Sequence, residues 1–228
     1  STGEIFLPSD SSRLFSTEGG TKESLLSGIE YIDGSKLNTS KVVNMEKMFY
    51  GLRNLKKIDV SNWDTSNVTN MSYMFGSGYY SPYYSSTNEL GLIDNLDVSN
   101  WDTSKVINMS GVFSGQKNLT NLNVENWDTS NVTSMSNMFL GAKRLTDLNL
   151  SKWDTSNVIN MSNMFSNTDN LRNLNVSNWN TSNVTDMSAM FVRNYNLKTL
   201  NINNWNTSKV KKMNEMFWES GLVSLDLN

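Results

Sequence analysis

A tryptophan followed by Asp/Asn-Thr-Ser returns at Trp63, Trp101, Trp127, Trp153, Trp179 and Trp205, with Leu37 in the same place of a degenerate first copy. The steps are 26, 38, 26, 26, 26 and 26 residues, so one period governs the chain apart from a single insertion of 38 − 26 = 12 residues. A fixed period of roughly 20–50 residues marks an array in which each unit buries its apolar face only against its neighbours. The reference copy runs from Leu119 to Phe139, LTNLNVENWDTSNVTSMSNMF.

Three parts of the repeat carry distinct local signals. Most copies open with L-x-x-L/I-x-V/L/I, as in Leu55, Ile58 and Val60 or Leu145, Leu148 and Leu150. The alternation of its last positions predicts parallel strands beginning near Leu55, Leu119, Leu145, Leu171 and Leu197. Asp/Asn-Thr-Ser predicts a reversal, because a short carbonyl-bearing side chain closes a turn on its own backbone two residues on. The closing V-x-x-M-x-x-M-F holds all 13 methionines, with Val112 the one departure from its Met slots. Its spacing predicts a brief strand followed by a helical turn at S-x-M-F. Stacked at the strand spacing of about 4.8 Å, each slot becomes a column of like side chains. A single 26-residue unit has too little apolar surface to offset its ordering entropy, so burial is shared between copies.

Residues 1–28 stand outside the period and read as an N-terminal cap, with Ser9 or Asp10 capping a short helix through Leu14 and Phe15. Residues 29–228 are an array of about seven repeats plus a truncated last one. The closing GLVSLDLN is the opening of another copy and leaves a strand edge, from which the natural protein is expected to continue past Asn228. The fold expected is one elongated right-handed solenoid.

The absence of His and Cys excludes a cysteine nucleophile, a histidine triad, zinc sites with nitrogen or sulfur ligands, and disulfides. A net charge of −3 with scattered lysines lacks the basic stripe of a nucleic-acid binder. No run of about 18 apolar residues is present to span a membrane. The start at Ser1 has no signal-peptide features, so any export signal has been removed or was never included.

The phrases IDVSNWDTSNVTNMSYMF (Ile58 to Phe75) and LNLSKWDTSNVINMSNMF (Leu148 to Phe165) resemble the bacterial surface protein 26-residue repeat family, itself similar to the leucine-rich repeats of bacterial surface adhesins. The resemblance covers about Ile29 to Asn228. It implies a leucine-rich-repeat-like solenoid on an exported, cell-surface protein, with binding or adhesion as its role, and it carries over no catalytic residues.

Two columns invite a functional reading and favour a structural one. Asp64, Asp102, Asp128 and Asp154 form a carboxylate column, but Asn180 and Asn206 continue it without charge, which suits turn closure better than calcium. The tryptophans offer a sugar platform, yet a repeated aromatic in an array more often packs on its neighbours. The stretch that breaks the rule is Gly76 to Gly91, GSGYYSPYYSSTNELG, which contains the insertion. Tyr79, Tyr80, Tyr83 and Tyr84 around Pro82, with Gly and Ser, have the composition of binding loops and are the candidate ligand-contacting residues.

The expectation is therefore a monomeric, extracellular binding module of a bacterial surface protein, contacting a host or matrix protein or a glycan, or presenting other domains. A purely structural stalk is the alternative. A solenoid enzyme acting on polysaccharide ranks behind both, since Glu89 stands alone in the insertion without a second acid. Neither cofactor nor metal is expected.

Overall fold

A computed structural model of the chain describes residues 3–18, 25–77 and 91–227. Its backbone is tied together by a ladder of single-residue parallel bridges through Asp10, Asn44, Asn70, Asn108, Ser134, Asn160, Asp186 and Lys212. Beyond Asn44 the rungs are one repeat apart, so each V-x-x-M segment lies beside its counterpart in the next copy. From there the N–H groups of alternate residues point at the following repeat: Met135 donates to Asn160 (3.0 Å), Asn137 to Ser162 (2.9 Å), Phe139 to Met164 (3.0 Å) and Gly141 to Ser166 (2.9 Å). The backbone bonds of this segment thus join repeats, where those of a helix would stay within one.

Short parallel strand pairs supply the second line of contact. β1 (Ile5–Phe6) pairs with β3 (Leu37–Asn38), and β2 (Tyr31–Asp33) with β4 (Lys57–Asp59). β5 (Asp147–Leu148) pairs with β6 (Asn173–Leu174), and β7 (Thr199–Asn201) with β8 (Ser224–Asp226). Asn95 and Asn121 make an isolated bridge in the same slot. The strands begin two residues later than the leucine pattern predicts. Leu55, Leu119, Leu145 and Leu171 close turns instead, as when Leu145 donates to Ala142 (3.3 Å) and Leu171 to Thr168 (3.0 Å). They are short because an Asx turn follows at once: Ser61 N–H bonds Asp59 Oδ1 (3.1 Å) and Ser99 N–H bonds Asp97 Oδ1 (3.1 Å).

The helical turn expected at S-x-M-F is absent. The residue before the second Met slot is left-handed in repeat after repeat, with φ of 53° at Lys47 and Tyr73, 59° at Asn137, 55° at Asn163 and Ala189, and 58° at Glu215. A right-handed helix does not contain such a residue. Met138 N–H instead bonds Met135 C=O (3.3 Å), closing a four-residue turn with positive φ at its third position, the requirement of type II geometry. Among the described residues the one helical element is a 3-10 turn at Leu25–Gly28.

The capping helix expected at Leu14 and Phe15 is also absent. Residues 9–17 imitate the repeat: Ser11, Arg13 and Phe15 donate to the carbonyls of Asn44, Glu46 and Met48, and Arg13 is left-handed (φ 56°) like Lys47. The signal was present in Leu14-Phe15, which stand where later copies have Met-Phe.

Columns of side chains fill the interior. Val132, Met135, Met138 and Phe139 are fully buried, as are their counterparts Val158, Met161, Met164 and Phe165. The phenylalanines stack from Phe15 to Phe217 at centroid separations between 5.3 and 6.3 Å. At about 1.5–3 kcal/mol for each large apolar side chain withdrawn from water, these columns dominate the stabilisation. Tryptophan adds direction to them. Each indole N–H donates to the carbonyl that closes the previous repeat's strand segment: Trp63 to Gly34 (3.0 Å), Trp127 to Val98 (3.1 Å), Trp153 to Val124 (2.9 Å). Thr hydroxyls reach the other way, Thr103 to Asp128 C=O (2.9 Å) and Thr129 to Asp154 C=O (2.8 Å). Leucine or phenylalanine in the tryptophan slot would fill space without making this bond.

Candidate functional site

Tyr79, Tyr80, Tyr83 and Tyr84 lie outside the described residues, but both roots of their segment are visible and are held by one repeat. Ser77 N–H donates to Ser114 C=O (3.0 Å) and Gly91 N–H to Gly115 C=O (2.9 Å). Between them Gln116, almost fully buried, donates from Nε2 to Phe75 C=O (2.5 Å) and accepts Ile93 N–H at Oε1 (3.3 Å). A Cβ at Gly91 would come within 2.3 Å of the Gln116 amide, so a side chain there would displace that amide. Gln116 thus fastens the chain before the insertion to the chain after it, which is how Trp101 returns to register.

The tyrosine before the insertion has a structural role. Tyr73 lies across Gly111, where a Cβ would meet its ring at 2.3 Å, and its hydroxyl accepts Asn137 Nδ2–H two repeats away (3.0 Å). Burial raises its pKa. The small residue Gly111 is therefore the imprint of Tyr73 on the next repeat.

The carboxylate column closes turns, as its sequence suggests. Ser66, Ser104, Ser130 and Ser156 N–H groups bond the Oδ1 of Asp64, Asp102, Asp128 and Asp154 at 2.9–3.0 Å, and Ser182 bonds Asn180 in the same way at 3.1 Å. The Ser66 and Ser104 hydroxyl and N–H groups hold the Asp64 and Asp102 carboxyls below the ordinary value. Among the described residues no group of three or more Asp and Glu is placed to hold a metal ion. The tryptophans from Trp63 to Trp179 are likewise internal: Trp101 stacks on Trp63 and Trp127 at 6.4 and 6.1 Å and is 4% exposed, leaving no open ring face for a sugar.

A concave surface runs along the strand slots, the face that the sequence leaves as the alternative to the insertion, though the sequence singles out none of its residues. Asn95, Asp97, Thr120, Asn121, Thr146 and Asp147 line a groove of about 490 Å³. Asp147 also opens the next stretch, of about 400 Å³, with Arg172, Asn173 and Thr199. The two run across successive repeats. Asn173 Nδ2 bonds Asp147 Oδ1 (2.5 Å), which lowers the Asp147 pKa, with the Thr146 hydroxyl second. The available signal was the variable position just before the second apolar slot of the pattern, which carries Asn95, Asn121, Asp147, Asn173 and Thr199 in successive copies. The groove offers amides, hydroxyls and few charges, a surface suited to hydrogen bonding.

No helix among the described residues is long and apolar enough to cross a membrane. No curated protein matches the chain, and no solved structure matches it. A family described as "Mycoplasma protein of unknown function, DUF285" matches in three successive and partly overlapping stretches, residues 20–80, 83–174 and 144–228. With nearly the whole array accounted for by these repeated matches, the chain belongs to the DUF285 family.

Proposed function

We propose that the chain is a non-catalytic binding module of an exported bacterial surface protein, built as a right-handed, leucine-rich-repeat-like solenoid, and that it holds a host or matrix protein or a glycan. The observation that carries this reading is the groove over the strand slots, where polar side chains such as Asn121, Asp147 and Asn173 follow one another from one repeat to the next. Polar groups repeated at about the strand spacing match a ligand that itself repeats, such as an extended backbone or a sugar chain. Tyr79, Tyr80, Tyr83 and Tyr84 are proposed to add rigid aromatic contact.

A screen of the purified chain against matrix proteins, mucins and glycans tests the proposal. Binding that weakens in Asn121→Ala/Asn173→Ala assigns the groove. Binding that weakens only when the four tyrosines become serine assigns the insertion. Absence of binding throughout favours the stalk, which has its own supporting observation: many surface amides are already bonded between repeats, as in Asn131 Nδ2 to Ser104 C=O (2.8 Å) and Asn157 Nδ2 to Ser130 C=O (2.7 Å).

A further inference from the structure

Among the described residues of the full repeats, the exposed valine, leucine and isoleucine side chains share one column. Val43, Ile107 and Ile159 are 40%, 49% and 47% exposed, and each directly follows the buried valine of V-x-x-M. Thr69, Thr133 and Thr185 hold the same place in the repeats between and are half-buried. The column is continuous, because each residue donates its N–H to the carbonyl of the one before: Thr69 to Val43 (2.9 Å), Ile107 to Thr69 (2.8 Å), Thr133 to Ile107 (2.9 Å), Ile159 to Thr133 (2.8 Å) and Thr185 to Ile159 (2.8 Å). Its relief alternates aliphatic ridges with threonine hollows, one per repeat, over about 24 Å. Strand propensity selects β-branched residues here but is met by threonine throughout, so it does not account for the isoleucines.

The column can be covered without stranding a polar group. Its threonine hydroxyls already donate to carbonyls of the ladder, Thr69 to Val43 (3.3 Å), Thr133 to Ile107 (3.2 Å) and Thr185 to Ile159 (3.3 Å). Two places earlier in the chain, the amides of Asn67, Asn131, Asn157 and Asn183 donate to serine carbonyls of the preceding repeat at 2.7–3.0 Å. Burying a polar group that keeps its bond costs far less than burying an orphan. The column shares no residue with the groove over the strand slots.

The order along the column, Val-Thr-Ile-Thr-Ile-Thr, is its own complement when reversed. A second copy turned end for end, about a two-fold axis midway between Ile107 and Thr133, sets its Thr185 on Val43, its Ile159 on Thr69 and its Thr133 on Ile107. Every ridge then meets a hollow, the alternation of large and small that lets two layers interdigitate. A copy running in the same direction would set isoleucine on isoleucine. Charge permits the reversed pairing. Two places before the column Lys41 and Lys105 are the charged residues, and the reversal opposes them with Asn183 and Asn131. One place after it the charge is Asp186, opposed by Asn44, so no like charges meet. We propose that the chain forms a two-fold dimer through this column, with the threonines of each copy seated against the aliphatic residues of the other. Such a contact is isologous and closes at two copies. It departs from the monomer that the sequence suggests.

A column about 24 Å long makes a small interface, so the association is weak and is sought at high concentration. Sedimentation velocity over a hundredfold range reaching about 1 mM is expected to show the mass rising from 25.8 kDa to twice that value and no further. Ile107→Asp is expected to stay at the single-chain mass with an unchanged circular dichroism spectrum, since Ile107 is exposed in the single chain. A bulky group on this column, such as a nitroxide label, is expected to act likewise. Register is read by oxidising cysteine variants, as the chain has no cysteine of its own. Val43→Cys alone and Thr185→Cys alone each place their two thiols about 24 Å apart along the dimer and are expected to give no disulfide-linked pair. Their mixture is expected to give one. A parent that stays at 25.8 kDa at every concentration overturns the proposal and leaves the column to a different partner. So does association that Ile107→Asp leaves intact, a mass that climbs past two copies, or cross-linking of either single variant as readily as of the mixture.

Discussion

Replacing Trp153 with phenylalanine separates what the indole contributes as bulk from what it contributes as a donor. Trp153 is 3% exposed, and its Nε1–H bonds Val124 C=O at 2.9 Å. That carbonyl also accepts Trp127 N–H (3.1 Å), so the substitution leaves it with one partner and not with none. The hydrogen-bond loss is then the net value of one bond, about 1 kcal/mol. Phenylalanine is smaller by two ring carbons, worth about 1.6 kcal/mol at about 0.8 kcal/mol per buried carbon. Together these give about 2.5 kcal/mol, read from urea unfolding followed by tryptophan fluorescence and circular dichroism. Trp205→Phe is the internal control, because Trp205 makes the same bond to Val176 (3.1 Å) but is only partly buried, in the last full repeat. Its cost is expected to be smaller, because the bond loss is the same and less burial is lost. Equal losses at the two positions would refute the claim that inter-repeat indole bonds and shared burial hold the array together.

Met135→Asp inserts an unpaired carboxylate into a fully buried column and is expected to unfold the array or lower its stability by about 4 kcal/mol or more, read as a loss of the thermal transition. Gly111→Ala meets both a left-handed backbone (φ 61°) and the Tyr73 ring, and is expected to cost about 2 kcal/mol in chemical unfolding. Tyr73→Ala in the same chain should relieve part of that cost, a coupling that independent sites would not show. The lowered carboxyls of Asp64, Asp97 and Asp102 give stability that is complete above their ordinary value of 3.8 and is lost as pH falls through their lower folded-state values. The thermal midpoint is therefore expected to fall below about pH 4. Asp102→Asn, which keeps the turn-closing oxygen but not the charge, should reduce that slope and lower the midpoint slightly at neutral pH.

Much of the core was legible because a repeat writes each buried slot many times. The Val, Met and Phe columns follow from spacing alone, and the Asx role of Asp64 and its counterparts follows from their replacement by Asn180 and Asn206. The left-handed turn was not legible, since its position holds Lys47, Tyr73, Asn137, Ala189 and Glu215 and only Gly111 and the asparagines hint at positive φ. Tertiary backbone bonds to the next repeat impose that conformation on residues with no preference for it. The strands were placed too early because a leading leucine packs equally well at the end of a turn. The strand face was legible as the alternative to the insertion, but its groove residues were not, because they occupy the variable slots, which periodicity treats as background.

The central claim is that consecutive repeats advance along one axis by one strand spacing each. The chain has no cysteine, so pairs of spin labels can be placed at will. Val43, Ile107 and Lys211 share one exposed column, six, four and zero repeats from the last. At about 4.8 Å per repeat, Val43→Cys/Lys211→Cys should give a distance between backbone positions of about 29 Å, and Ile107→Cys/Lys211→Cys about 19 Å. Pulsed electron paramagnetic resonance reads both as narrow distributions differing by about 10 Å. Distances that are equal, or that fail to grow with the number of repeats between the labels, would contradict the stack.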